Sequence, residues 1–391
     1  MLRVLTLATL FPNSVRPTLG VFVEGQTLRL AARDDVDLRV VNPIPAPPFP
    51  LDLHPRYRGL RALPAVSDWK GVAVARPRFP VLPGVSGPVN PALLCRAARP
   101  VLARLRAEGF AFDVIDAEFF YPDGPAAARL AREFGVPFSI KARGADIHFW
   151  GARPACRRQI LDAAARAGGL LAVAGSIKAD MAAMGMDPDK ITVHYTGVDL
   201  ARFRPLDRPE AKRRLGVAGP LVVSLGALIP RKGHDIVVAA MRRVPEATLL
   251  VVGAGPEQGR LKALVEAQGL AGRVRLLGGL PHAELPAILG AADVMALASE
   301  SEGLANAWVE AMACGTPVVI PDVDGAAEAV DRPAAGRRIG ARTPEAVADA
   351  IGAILADPPD PAEVRASAER FTWARNTEAL FEHLARIGAR R

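Results

Sequence analysis

Short apolar runs alternate with stretches of helical period along the whole chain, the pattern that a parallel α/β sheet imposes on a sequence. The runs predict strands over residues 3–8, 38–42, 72–76, 113–116, 137–141, 169–174 and 192–194 in the first half. In the second half they predict strands over 221–225, 248–252, 274–277, 294–297 and 318–320. Each group is expected to form one doubly wound parallel sheet, giving an α/β chain of two Rossmann-like domains. Residues 196–205 lie between the groups and carry turn residues, so the crossing between domains is placed there. The expected division is a first domain over 1–200, a second over 201–370, and a terminal amphipathic helix within 371–391 that packs back across the junction. Ligands in such folds bind beyond the carboxyl ends of the strands, so the expected site is a cleft between two facing sheets. The proline-rich segment 44–50 and the Pro/Gly-rich segment 77–91 read as loops.

Composition agrees with this division, because 391 residues exceed what one core usually serves. The three cysteines, Cys95, Cys156 and Cys314, are widely spaced and odd in number. They offer neither a disulfide framework nor a metal cluster, and a reducing cytoplasm is the expected compartment. The N-terminal run reads as a buried first strand rather than a signal peptide, and no segment reaches the roughly 18 apolar residues of a membrane span. The formal charge is +8, and residues 1–200 supply +7 of it, from 25 Lys+Arg against 18 Asp+Glu. A basic first half attracts anionic lipid or a phosphorylated substrate, or is simply a solvated arginine-rich surface. The basic residues are scattered without an aromatic ladder, which argues against nucleic acid.

The stretch 299–317, SESEGLANAWVEAMACGTP, carries the most chemistry. On one regular helix Glu302 and Glu310 would stand roughly 80° apart in azimuth and about 12 Å apart along the axis, and could not converge on one atom. Placing Glu302 in the loop ahead of the helix and Glu310 within it leaves the free N–H groups of Gly303, Leu304 and Ala305 between two carboxylates. Those donors and the positive end of the helix dipole make a seat for a diphosphate. Glu310 can then accept from a ribose diol and Glu302 from a sugar ring. The plainer alternative is an amphipathic helix with Trp308, Val309 and Met312 in a core and both glutamates in water.

Further groups fit the same chemistry. Arg231 and Lys232 follow the strand ending at Leu225 and are flanked by glycines, so they can neutralise a leaving diphosphate or else lie in solvent. The run from Gly253 to Gly259 has the wrong spacing for a nicotinamide dinucleotide fingerprint. Leu276 opens a stretch, through Gly278, Gly279 and Pro281, whose main chain can face a nucleobase. In the first half, Gly20 precedes a helix and can face the diphosphate. Asp146 and His148 follow a strand and can reach sugar hydroxyls, although an isolated histidine is more often structural. Asp-x-Asp pairs at 35/37, 187/189 and 322/324 lie in turn-like segments without supporting ligands and read as solvated, so no metal site is expected.

Together these segments resemble the retaining glycosyltransferases of family 4, which have the GT-B fold. Residues 299–317 are similar to that family's E-x7-E region, 226–235 to its phosphate loop and 197–205 to its interdomain signature. The opening, with Leu10-Phe11-Pro12 and Gly20-Val21-Phe22-Val23, resembles the branch that builds capsular, teichuronic-type and other exopolysaccharides. The resemblance implies transfer of a sugar from a nucleotide diphosphate sugar to a saccharide or lipid-linked saccharide acceptor. It implies retention of configuration and no cofactor or metal. Glu310 would hold the ribose, Glu302 the donor sugar, and Arg231 with Lys232 the diphosphate, with the first domain on the acceptor side. The chain departs from the family pattern at Ala227, where arginine is usual, and at Arg143, where the His-Gly-x-Asp motif has its histidine. That leaves either His148 substituting or Asp146 acting alone. A cytoplasmic location is expected, with peripheral attachment to an anionic membrane face as a further expectation from the basic first half. Competing functions are a nucleotide-sugar epimerase of the same fold and a non-catalytic nucleotide-sugar-binding protein.

Overall fold

The computed structural model describes residues 1–389; residues 390 and 391, which end the expected terminal segment, lie outside the described residues. The chain divides into two compact units. The first takes Met1–Tyr195 together with the terminal helix Trp373–Gly388, and the second takes Thr196–Thr372. The first crossing thus falls at the start of the turn-rich segment, and the terminal helix is an integral part of the first unit rather than a third segment.

The first unit is built on β1 (Leu2–Leu7), β2 (Val36–Val41), β3 (Ile44–Ala46), β4 (Val66–Trp69), β5 (Val72–Ala75), β6 (Arg78–Pro80), β7 (Val114–Ala117), β8 (Phe138–Ala142), β9 (Gly169–Ala172) and β10 (Ile191–Val193). Eight of these make one sheet in the order β10-β9-β8-β7-β1-β2-β5-β4. Its neighbours are parallel except for β4, which runs antiparallel to β5 at the edge. The β4 run, VSDW, is too polar to announce a strand, and it is tolerated because it pairs on one side only.

The proline-rich segments are not simply loops. Ile44–Ala46 and Arg78–Pro80 pair in parallel as a separate two-stranded sheet. Pro45 and Pro80 can sit there because a two-stranded sheet leaves one edge of each strand without a ladder to complete. Segment 77–91 also runs into the helix Asn90–Ala107.

Strand β1 is buried on both faces, as a central parallel strand must be, which is why it reads as an almost unbroken apolar run. Leu380, Leu384 and Ile387 of the terminal helix join the core of Val4, Val23, Leu30 and Val40. Each is essentially fully buried and contributes about 1.5–3 kcal/mol. That burial explains why the chain returns to this unit after leaving it.

The second unit contains β11 (Leu221–Leu225), β12 (Thr248–Val252), β13 (Val274–Gly278), β14 (Val294–Ala296), β15 (Val318–Pro321) and β16 (Gly336–Ile339), in the order β13-β12-β11-β14-β15-β16, all parallel. Strand β16 is masked in the sequence by Arg337 and Arg338. In each sheet the first strand has its successors on opposite sides, β2 and β7 about β1, β12 and β14 about β11. The chain therefore leaves a crevice beyond the carboxyl ends of β1/β7 and of β11/β14, where such folds hold ligands.

Candidate functional site

The crevice of the second unit is made by the loops after β11 and β14. After Leu225 the chain makes a single tight turn over Pro230–Lys232 and enters the helix His234–Ala240. Gly233 joins the two at φ +66, and a Cβ there would lie 2.2 Å from the Ala298 carbonyl oxygen, so only glycine allows this contact. The loops are further locked by Glu300 N donating to the Arg231 carbonyl at 2.8 Å. His234 sits beneath them, its Nδ1 2.8 Å from Ser224 Oγ, and burial lowers its pKa to about 4, so that it is neutral at pH 7.

Two of the predicted groups meet at this lock. The Lys232 ammonium is paired with Glu302 Oε1, which also accepts from Ser299 Oγ at 2.8 Å. The Arg231 guanidinium donates to the Ser301 carbonyl and stands 3.8 Å from the same Glu302 oxygen. The side chain of Glu302 is only 10% exposed and that of Lys232 16%, which separates this pair from ordinary surface ion pairs.

The following helix, Asn306–Ala313, has Ala305 at its N-cap and no side chain capping it. Among the described residues no backbone acceptor meets the N–H groups of Gly303, Leu304 or Ala305. Their loop is held by Gly325, where a Cβ would lie 1.9 Å from the Gly303 carbonyl oxygen. Trp308, Val309 and Met312 do face the core, as the plainer reading of this helix expects. The glutamates, however, are not in water. Glu310 is 13% exposed and its Oε1 lies 2.7 Å from His282 Nε2, while the His282 ring lies 5.3 Å from that of Phe203. His282 went unnoticed in the sequence although it directly follows the Gly278–Pro281 stretch. Leu276 lies within β13, paired with Val251, and its side chain packs on the core. Main chain available to a base therefore begins beyond it.

In the first unit Gly20 ends the turn before the helix Val21–Ala31 at φ +69, and a Cβ would lie 2.4 Å from the Leu10 carbonyl oxygen. That contact explains the glycine without any ligand. Asp146 is fully buried, and its carboxylate accepts from the N–H groups of Phe120 at 2.8 Å, Arg143 at 2.9 Å and Ile147 at 3.2 Å. This corrects its expected role: it holds the loop after β8 and has no surface for a sugar hydroxyl. His148 is exposed, with Nε2 2.9 Å from Asp180 Oδ2.

A buried charge network beside these residues escaped the sequence reading. Lys141 and Glu118 are both fully buried, Lys141 Nζ lies 2.6 Å from Gln26 Oε1 and 3.5 Å from Glu118 Oε1, and Arg143 pairs with Glu118 Oε2. Burial alone would raise the Glu118 carboxyl, but Lys141 and Arg143 outweigh it and hold it down at about 2. The available signal was a lysine inside an apolar strand, since an unpaired charge there is not tolerated.

The first unit also holds a cavity of about 510 Å³ beyond the ends of β1, β2 and β7, lined by Ile44, Phe79 and Leu82 from the proline-rich segments and by Tyr57, Tyr121 and Trp150. The Asp-x-Asp pairs have partners in the fold: Asp35 and Asp37 pair with Arg33 and Arg39, Asp187 caps a turn, and Asp322 pairs with Arg338. Among the described residues no helix is long and apolar enough to cross a membrane.

Two family models match, Glycosyltransferase Family 4 over residues 21–202 and Glycosyl transferases group 1 over residues 207–371. Among curated proteins the chain is 36% identical over 208 residues to a D-inositol 3-phosphate glycosyltransferase of Segniliparus rotundus, covering 50% of this chain and 46% of that protein. It is 28% identical over 336 residues to the putative teichuronic acid biosynthesis glycosyltransferase TuaC of Bacillus subtilis, covering 83% and 82%. The match thus spans about half the length of the Segniliparus relative and most of TuaC. Among solved structures, sucrose-phosphate synthase from Thermosynechococcus elongatus superposes with a TM-score of 0.80 at 19% identity over all of both chains. Anabaena HepE in complex with UDP superposes at 0.74 and 20% identity, over 98% of this chain and all of that one. At such identities the structural likeness speaks for the fold, and the family models, which between them take in both units, speak for descent. The chain belongs to glycosyltransferase family 4 and has the GT-B fold.

Proposed function

We propose that the protein is a retaining glycosyltransferase that moves a sugar from a nucleotide diphosphate sugar to a hydroxyl of a saccharide or lipid-linked saccharide acceptor, in the making of a cell-surface polysaccharide, without a metal. The observation that carries this reading is Lys232 paired with Glu302 beside the unpaired N–H groups of Gly303, Leu304 and Ala305. A diphosphate placed there meets a cation and three donors, and the charge that develops as the sugar leaves is stabilised without reorganisation. Arg231 and Lys232 supply on this reading what a divalent ion supplies elsewhere. Glu302 meets the donor sugar and Glu310, oriented by His282, the ribose.

The bond from the anomeric carbon to the phosphate oxygen breaks as the bond to the acceptor oxygen forms on the same face, and the acceptor proton passes to the departing phosphate oxygen. The protein's part is positioning and charge stabilisation. The likeness to TuaC, a putative teichuronic acid biosynthesis glycosyltransferase, supports the cell-surface role. A cytoplasmic location at an anionic membrane face fits the +7 carried by residues 1–200.

The test is a panel of nucleotide diphosphate sugars screened for protection against thermal unfolding and for release of nucleoside diphosphate. A donor at a hundred times its dissociation constant adds about 2.7 kcal/mol. The anomeric configuration of the product, read by proton NMR, decides retention. A panel in which no member protects or is consumed contradicts the reading.

A further inference from the structure

The cavity of the first unit contains polar groups that nothing among the described residues satisfies. Arg16 Nη2 is shielded from solvent and has no hydrogen-bond partner. Asn13 fixes the main chain here, its side-chain oxygen accepting from Val15 N at 3.0 Å and Arg16 N at 2.9 Å. Asn42 is 1% exposed, and its Nδ2 donates to the Ala8 carbonyl at 2.7 Å. That bond fixes the amide's orientation and leaves Oδ1 buried in the cavity wall without a donor. Buried polar atoms of this kind are rare, and an unmet charged donor and an unmet acceptor in one cavity point to a missing partner.

Arg56 lines the same cavity, its guanidinium 5.9 Å from the centre of the Tyr57 ring. Among the described residues neither Arg16 nor Arg56 has a carboxylate partner. Burial, and next the charge of Arg56, lower the proton affinity of Arg16, so two like charges are kept together without a counter-ion. Part of the wall is aromatic, with Tyr121 and Trp150 5.0 Å apart between ring centres. Such faces suit the C–H side of a sugar or polyol ring, while guanidinium groups suit phosphate oxygens.

We propose that this cavity binds the acceptor through a phosphate group, which Arg16 and Arg56 grip while Asn42 accepts from a hydroxyl of the attached polyol. The inference rests on the glycosyltransferase reading for the word acceptor, and names its class: a phosphorylated, hydroxyl-bearing compound. The phosphate belongs either to a free sugar phosphate or to a lipid headgroup. Leu82 and Phe149, 47% and 54% exposed at the cavity, offer apolar surface to the second.

The probes are glucose, glucose 6-phosphate and inorganic phosphate, titrated against the full-length protein with Trp150 fluorescence as the readout and Trp150→Phe as the control for its origin. In parallel, the protein is floated with phosphatidylglycerol or phosphatidylcholine vesicles. Binding of the phosphorylated probes is expected to be at least about tenfold tighter than that of glucose and to fall about tenfold or more in Arg16→Gln and in Arg56→Gln. Lys232→Met is expected to retain it, which separates this cavity from the diphosphate seat. Arginine-dependent flotation on phosphatidylglycerol assigns the phosphate to a lipid, and arginine-dependent binding of the soluble probes alone assigns it to a free sugar phosphate. If neither the soluble phosphates nor the anionic vesicles distinguish the parent from both arginine variants, the proposal is overturned. Loss of nucleoside diphosphate binding with arginine-dependent phosphate binding intact would instead contradict the donor reading and leave this one standing.

Discussion

Lys232 and Glu302, 70 residues apart in the chain, are ion-paired across the loops that follow β11 and β14. The pair sets two charges of opposite sign beside one anion seat, so removing either has a different effect on a diphosphate. Lys232→Met is expected to weaken nucleoside diphosphate binding by about ten- to a hundredfold, the worth of a charged hydrogen bond of about 1.5–3 kcal/mol. Glu302→Gln removes a repulsive charge and is expected to leave that binding unchanged or tighter, while lowering turnover by orders of magnitude. Calorimetric titration beside a turnover assay checks both, and equal losses of binding in the two variants would contradict the assignment.

Gly325→Ala tests the seat without touching a charged group. Its added methyl would meet the Gly303 carbonyl oxygen at 1.9 Å, so the loop of Gly303, Leu304 and Ala305 must move. The expected result is a loss of nucleoside diphosphate affinity of at least about tenfold, with a stability cost of about 1–3 kcal/mol from overpacking. Unchanged affinity in a folded variant would place the diphosphate elsewhere.

Much of this arrangement is legible in the sequence because burial on both faces turns parallel strands into apolar runs. Strands β11 and β12 fall at the expected residues for that reason. Glu302 lies in a loop and Glu310 in a helix, the placement expected if the two carboxylates are to bracket one ligand, since a single helix would keep them apart. The segments that were missed are those where pairing overrides composition. Pro45 and Pro80 stand in a two-stranded sheet, β4 is polar at an edge, and Arg337 and Arg338 interrupt β16. A carboxylate after a strand, such as Asp146, looks the same in sequence whether its oxygens face a ligand or backbone N–H groups. The link from Glu310 to His282 needs tertiary contact that no local spacing encodes.

The Glu118 carboxylate is ion-paired with both Lys141 and Arg143, so its replacement should be felt through the first unit. Glu118→Gln keeps the shape but removes the carboxylate with which Lys141 and Arg143 are ion-paired. A loss of about 3–5 kcal/mol is expected from breaking a buried pair, read as a drop in the denaturant midpoint. A loss below about 1 kcal/mol would show that the network is not relied on. In the double variant Glu118→Gln/Lys141→Met, part of the loss should return.

His234 gives the second unit a defined response to acid. Its native pKa is lowered to about 4 from an unfolded value of 6.5, so between those values the unfolded chain takes up a proton that the native one does not. Stability from this group is therefore present above pH 6.5 and lost as pH falls, by up to about 1.4 kcal/mol per pH unit. His234→Gln removes that term. Whatever its cost at pH 7.5, the variant should gain about 2–3 kcal/mol relative to the parent by pH 4.5, measured as the difference in urea unfolding free energies. A difference that does not change with pH would mean that His234 is not held neutral.

The donor's diphosphate is expected to meet the open start of helix Asn306–Ala313. The most direct measurement is the amide NMR spectrum of the protein with a nucleoside diphosphate added, with Gly303, Leu304 and Ala305 assigned. The predicted result is that these three amides shift most and gain protection from solvent exchange, and that Lys232→Met weakens the titration that moves them. Saturating nucleoside diphosphate with these amides unmoved and the largest shifts at another site would contradict it.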